Sequence, residues 1–360
     1  MQSDFWSSML YYFYMYFFFS AIAIAQSRFK ELSQALDVVG LIALYVFIGL
    51  RLEVGGDWWG YNNLLQNCAV GMYHGAAEPF FVLLMKLSLV FPVEYQYTVL
   101  NSLMAILLLL GLFLIIKKYA RKLFTFSQLI WVIFPIFIFL FGTGYLRQGI
   151  ACLFLIPIIF SLKDKKIAQA FILTLLSIAF HKSAAVYLLL VFFAYLKNKD
   201  INYLNFFTWT SWQKLIFLMT LIGLSSCILI WAKPYINNSM RSYGVMIRLA
   251  YLCLLLTPVI IVDFKKLKKV VGDSYFWMFC LFCGLFIFLF STIADRLLLY
   301  LFLPSAWIAL TYLSEEKLKH SLSKFYIFGF FLLNTAYLFF WLKYSYWGVL
   351  RWVPYKNILM

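Results

Sequence analysis

Asp57 sits in the stretch 50–61, L-R-L-E-V-G-G-D-W-W-G-Y, with Arg51 before it and Trp58, Trp59 and Tyr61 close behind. A carboxylate so placed can bind or deprotonate a hydroxyl. The neighbouring ring faces suit the apolar faces of sugars. Gly55 and Gly56 admit backbone conformations that a Cβ resists, so the loop can fold tightly against a ligand. The same residues would also serve as an interfacial aromatic belt around a salt-bridged turn. Glu78, in E-P-F-F, supplies a second carboxylate. Arg147 lies in F-G-T-G-Y-L-R-Q-G-I-A, where glycines allow close approach and Gln148 adds donors. A charge entering an apolar helix is expensive and is there for function or is paired; snorkelling to the interface is the plainer alternative.

His181, Lys182 and Ser183 end one apolar run and open the next. Histidine at such a boundary can donate to phosphate or act as a base near neutral pH, or simply finish a helix. Arg241, Tyr243 and Arg248 share the stretch M-R-S-Y-G-V-M-I-R, and in a helix two arginines seven apart lie on one face. Arg296 directly follows Asp295, so a local ion pair competes there with ligand binding. No H-E-x-x-H, D-x-D or phosphate-loop pattern occurs, and no group has metal-ligand spacing. The expectation is catalysis without metal, nucleotide or other cofactor.

The elements that must carry these residues are read from composition. The 360-residue chain is 65% hydrophobic and 12% charged, with a mean hydropathy of +0.89. Repeated apolar runs of about 20 residues mark membrane-spanning helices, and their continuity excludes the alternation of a β-barrel. The fold expected is an all-α polytopic membrane protein, one transmembrane domain over 1–360 with an outward loop region at about 51–95. Spans are placed at 5–25, 38–50, 97–116, 124–142, 146–162, 167–180, 183–196, 215–232, 247–262, 276–292, 295–313 and 325–342, about twelve with a range of eleven to fourteen. The apolar piece 79–91 is short and carries Lys86, as a re-entrant or interfacial helix would. The first run lacks a basic leader and a small-residue cleavage site, which predicts a retained span. Five of the six cysteines lie in apolar runs, as small core residues do.

The net charge of +16 does not point to nucleic acid, because the basic residues fall in short clusters between apolar runs. Segments 26–36, 117–122, 163–166, 197–214, 263–269 and 315–324 hold 19 of the 30 Lys and Arg, which assigns them to the cytoplasm. Only Arg28 and Arg121 among those 19 are arginine, whereas six of the other 11 are. Topology signalling works equally with lysine and cannot explain that sorting. A planar, bidentate guanidinium suits phosphate, so the arginines predict an anionic ligand on the outer face.

Taken in order, R-L-E-V-G-G-D-W-W-G-Y, E-P-F-F, Y-L-R-Q-G-I-A, H-K-S-A and the tail W-V-P-Y-K-N resemble the EpsG family of Wzy-type polysaccharide polymerases. The likeness is at motif level over Arg51–Ala184 and architectural beyond. It implies a fold related to the O-antigen ligases. It also implies an inner-membrane glycosyltransferase whose donor and acceptor are undecaprenyl-pyrophosphate-linked oligosaccharides, with the site facing the periplasm and a chain-length regulator as a further partner. On that reading Asp57, with Glu78 and His181 behind it, handles the acceptor hydroxyl. Arg147, Arg241, Arg248 or Arg296 meets the departing pyrophosphate, and Trp58, Trp59 and Tyr61 hold sugar. A flippase or exporter of lipid-linked glycan and a membrane O-acyltransferase are the alternatives. The first should show a basic cavity reaching the cytoplasm and often an internal repeat, the second a buried histidine in an acyl-donor path.

Overall fold

The computed structural model describes residues 2–72, 77–120, 123–198, 244–271, 291–314 and 320–360. All regular elements among them are helical: α1 (Gln2–Arg28), α2 (Ser33–Gly49), α3 (Trp58–Ala69), α4 (Pro79–Ser88), α5 (Val93–Ile115), α6 (Phe126–Ile133), α7 (Leu146–Leu153), α8 (Leu155–Lys163), α9 (Ile167–Phe180), α10 (Tyr187–Asn198), α11 (Gly244–Val271), α12 (Ser291–Ser314) and α13 (His320–Tyr344). Among the described residues six helices are long and apolar enough to cross a membrane, and five shorter apolar helices accompany them. This is the make-up of a multi-pass membrane protein. The chain forms two compact units, one of Met1–Ile150 with Leu310–Met360 and one of Ala151–Ala309.

Ten of the expected spans fall on described helices; that at 215–232, and 276–292 up to residue 290, lie outside the described residues. The departures have local causes. The run at 124–142 begins as α6, capped by a Thr125–Gln128 capping box. Asp37 of α2 reinforces that start by accepting from the Ser127 N–H (3.0 Å) and hydroxyl (2.8 Å). From Phe134 to Gly142 the helix widens to a π-helix. Pro135 has no N–H for the Trp131 carbonyl four residues back, and Asn334 Nδ2 of α13 donates to that carbonyl at 3.3 Å. The run at 146–162 breaks at Phe154, and Pro157 falls in the first turn of α8, where a missing N–H is harmless. The lysine cluster at 263–269, expected as a loop, continues α11 to Val271. The region 51–95, expected as an outward loop, is not loop throughout but carries α3 and α4 and opens α5 at Val93.

In the first unit α2 is central, packing on α1, α5 and α6. The last four carbonyls of any α-helix have no partner within it. Here side chains from far along the chain meet all four. Asn357 Nδ2 donates to Val46 (2.8 Å), the Tyr355 hydroxyl to Phe47 (2.7 Å), Arg51 to Ile48 (2.8 Å) and Asn101 Nδ2 to Ile48 (2.8 Å) and Gly49 (2.6 Å). Burial pushes the Tyr355 hydroxyl up to about 12, so it stays a neutral donor. In the second unit α8, α9 and α10 pack together, and the Ser177 hydroxyl of α9 donates to the Ala151 carbonyl at 2.9 Å.

Candidate functional site

Arg51 is buried at 1% exposure. Its Nε donates to the Val54 carbonyl at 3.1 Å, and Nη1 donates to Ile48 and, at 2.9 Å, to Gly142 where the π-helix ends. Burial pulls this guanidinium below its usual value, yet it remains a cation at the negative end of the α2 dipole. The sequence offered Arg51 as a substrate contact; the structure engages it with main chain, as a staple between two helix ends. The loop it anchors is threaded between two other segments. Gly55 N–H donates to the Arg351 carbonyl (2.8 Å) and Asp57 N–H to the Gly144 carbonyl (3.2 Å). Gly55 has φ +106°, and a Cβ there would run into the Thr143 carbonyl, so only glycine fits. The tail closes the arrangement from above. Leu52 N–H donates to Lys356, Ile358 N–H to Leu50, and Trp352 Nε1 to the Thr143 hydroxyl at 2.7 Å.

That scaffold places Asp57 at the entry to α3, half-buried, and Tyr61 one turn later, buried. Glu78 opens α4 at 5% exposure, and its carboxylate pairs with Arg147 Nη1 at 2.7 Å. The Arg147 guanidinium lies 4.8 Å from the ring centres of both Tyr61 and Phe81, two rings that themselves pack 5.0 Å apart. The Tyr61 hydroxyl reaches the Arg147 N–H at 3.3 Å. Burial, and after it the charge of Asp57, push the Tyr61 hydroxyl up, with Arg147 opposing them. Asp57, Tyr61, Glu78 and Arg147, four residues chosen from three separate motifs, thus form one cluster. Three buried donors around it have no hydrogen-bond partner among the described residues: Arg147 Nε, Trp58 Nε1 and the Tyr97 hydroxyl, the last two on rings 4.8 Å apart. Buried donors are normally satisfied, so these three have hydrogen-bonding capacity left for a water or a polar ligand group.

The proposed sugar platform is divided by the structure. Tyr61 is enclosed, Trp58 half-buried, and Trp59 stands 48% exposed, edge-on to Trp58 at 4.6 Å. Gln148 is buried behind Arg147. Sequence reasoning left out Phe81, Tyr97 and Arg351, the last of which sits 5.9 Å from the Trp59 ring with a buried, unpartnered Nε. The tail motif W-V-P-Y-K-N was the signal for Arg351, since a tail resembling a family's motif has something to hold.

In the second unit, Arg248 and Asp295 form a buried ion pair at 2.6 Å, so Asp295 reaches across to α11 and not only to its neighbour in sequence. Arg296 is half-buried. His181 ends α9 and caps the short 3-10 turn Lys182–Val186. Its Nδ1 lies 2.7 Å from the Ser183 hydroxyl, which lies 2.6 Å from the Tyr300 hydroxyl. Lys182 is half-buried beside it. Arg241 and Tyr243 lie outside the described residues.

An arginine buried against a carboxylate and two rings, with donors unpartnered among the described residues, can chemically engage an anionic group. The chain belongs to the EpsG family, whose model matches residues 35–357, and that family is related to the Wzy-type polymerases. No curated protein and no solved structure matches it. Membership points to a membrane polysaccharide polymerase.

Proposed function

We propose that this protein joins undecaprenyl-pyrophosphate-linked oligosaccharide repeats at the outer face of the bacterial inner membrane, through a bundle of about twelve spans akin to the O-antigen ligases. A hydroxyl at the non-reducing end of one lipid-linked repeat attacks the anomeric carbon of the glycan on a second lipid. The new glycosidic C–O bond forms as the bond to pyrophosphate breaks, and the lipid pyrophosphate leaves with the electron pair. It leaves as an anion, so no general acid is required. Asp57 takes the hydroxyl proton. Arg147, held in plane by Glu78, Tyr61 and Phe81, supports the charge developing on the pyrophosphate. The product remains lipid-linked, and a chain-length regulator is a fitting partner.

The observation that carries this reading is the cluster of Asp57, Glu78 and Arg147 with its unpartnered Nε, in a chain of this family. Deletion and complementation, with the surface glycan run on a gel, test it. A polymerase leaves a single repeat when lost. Loss of every repeat indicates a flippase, and a normal ladder with altered antigenicity an acyltransferase. Impermeant-thiol labelling of a cysteine at position 57 tests the sidedness. Labelling only after the cells are broken would turn the site inward and end this mechanism.

A further inference from the structure

The arginines drawn into this protein differ in what they meet. Arg51 donates to main-chain carbonyls, Arg147 pairs with Glu78, and Arg248 pairs with Asp295. Arg351 is half-buried too, yet its side chain makes no hydrogen bond or ion pair among the described residues, and its Nε is enclosed without an acceptor. The main chain around it is fixed. The Arg351 carbonyl accepts from the Gly55 N–H at 2.8 Å. Trp352 beside it is fully buried and donates through Nε1 to the Thr143 hydroxyl. Lys356, five residues on, is paired with Glu53, so the carboxylate of that loop serves another cation.

Taking a charge partly out of water is unfavourable unless an opposite charge replaces the lost hydration. Arg351 is partly desolvated and unpaired, so an anion is what completes its surroundings. The ring beside it narrows the kind of anion. Trp59, 5.9 Å from the guanidinium, is nearly half exposed, and the Gly60 that follows has nothing within 4 Å of where a Cβ would stand. An indole with that much open surface suits the apolar face of a sugar. Tyr346 and Trp347, exposed a few residues before Arg351, are residue types that gather at the level of lipid headgroups. A planar guanidinium, an open indole and an interfacial setting together describe a sugar carried on a lipid phosphate.

We propose that Arg351 and Trp59 bind a second lipid pyrophosphate and the sugar it carries. Joining two lipid-linked repeats brings two headgroups to one membrane face. One pyrophosphate leaves, and the other stays attached to the repeat whose far end attacks. Two headgroups call for two cationic centres. Arg147 meets the one that leaves, and Arg351 holds the one that stays. Trp58, which follows Asp57, packs edge-on to Trp59 at 4.6 Å and so links the two places. The number of headgroups rests on the polymerase reading. The unpaired guanidinium beside an open indole does not.

The test is native mass spectrometry of the full-length protein from phosphatidylcholine nanodiscs, supplied with the cell's own lipid-linked repeat or with phosphatidylglycerol. Counting is done in the cold, before turnover. The unaltered protein is expected to retain two lipid-linked repeats. Arg351→Gln keeps the carbonyl that Gly55 uses and should retain one, with affinity at the lost site down by about tenfold or more, as befits a charge-assisted contact. Its count of phosphatidylglycerol should not change. Trp59→Ala removes an exposed side chain, and it decides the matter should Arg351→Gln fail to fold. It should weaken the same site by about threefold for the lipid-linked repeat and leave undecaprenyl pyrophosphate without sugar unaffected. Two repeats retained by Arg351→Gln, fewer than two by the unaltered protein, or unchanged affinity in Trp59→Ala overturns the proposal. So does a fall in bound phosphatidylglycerol with the repeat count unchanged, which would make Arg351 a contact for ordinary phospholipid. Polymer is then assayed on warming. A protein that holds two repeats and forms no polymer fails the polymerase reading and keeps the site; one that forms polymer while Arg351→Gln still holds two keeps the reading and loses the site.

Discussion

Two buried guanidiniums, at Arg51 and Arg147, occupy the same unit and do opposite things with the same five donors. Arg51 meets only main-chain carbonyls, and what it joins are the ends of α2 and of the π-helix and the turn at Val54. Arg147 meets one carboxylate and two ring faces and keeps a buried Nε without a partner. Burial alone therefore does not distinguish an arginine bonded to main chain from one paired with a side chain. Carbonyls are fixed parts of the scaffold and take three of the five N–H donors of Arg51, those on Nε and Nη1. A single carboxylate orients the fork and leaves capacity for another anion.

This contrast can be broken, and the largest effect should come from the scaffold. Arg51→Ala strands three buried carbonyl contacts, each worth about 1.5–3 kcal/mol when the donor is charged. Little protein should reach the membrane, as read by immunoblot of purified membranes. Arg147→Lys keeps its charge and its access to Glu78 but loses the planar fork. Normal protein amounts are expected, with polymerisation down by roughly thirty- to a thousandfold, equivalent to about 2–4 kcal/mol of transition-state stabilisation. A normal ladder from this variant would make Arg147 as structural as Arg51. Glu78→Gln retains an oxygen to accept from Nη1 and loses the charge, so a fall of about five- to thirtyfold, or about 1–2 kcal/mol, should be measured with purified protein. The smallest effect belongs to Lys356→Ala. Its ion pair with Glu53 is about half exposed on both sides, such pairs contribute about 0–1 kcal/mol, and neither the ladder nor the melting temperature should move appreciably.

The sequence yielded the helices well because apolar length is a one-dimensional property. The span read at 167–180 matches α9 at both ends. It yielded Asp57, Glu78 and Arg147 because each disturbs an apolar or aromatic context in which a charge is out of place. It could not show that Glu78 pairs with Arg147, since that contact spans 69 residues and no local spacing encodes it. Nor could it separate Tyr61 from Trp59, adjacent aromatics on one short helix of which one is enclosed and the other open. Arg351 was legible only as one of the six arginines outside the lysine-rich segments. Its place beside Trp59 depends on the tail folding back to the loop. The π-helix at 134–142 was likewise invisible, because an apolar run reads the same at 3.6 residues per turn as at a wider pitch.

The union of the tail with the end of α2 has a consequence in time. Tyr355 and Asn357 cap carbonyls 308 and 311 residues earlier in the chain. During synthesis α2 and the Gly55 loop emerge long before the segment that brings Tyr355 and Asn357. Until then the loop that presents Asp57 lacks the strand that fixes its backbone, and the helix before it ends in unmet carbonyls. A ribosome that stops short of residue 351 would leave every charged member of the Asp57–Glu78–Arg147 cluster in the chain and still not assemble it.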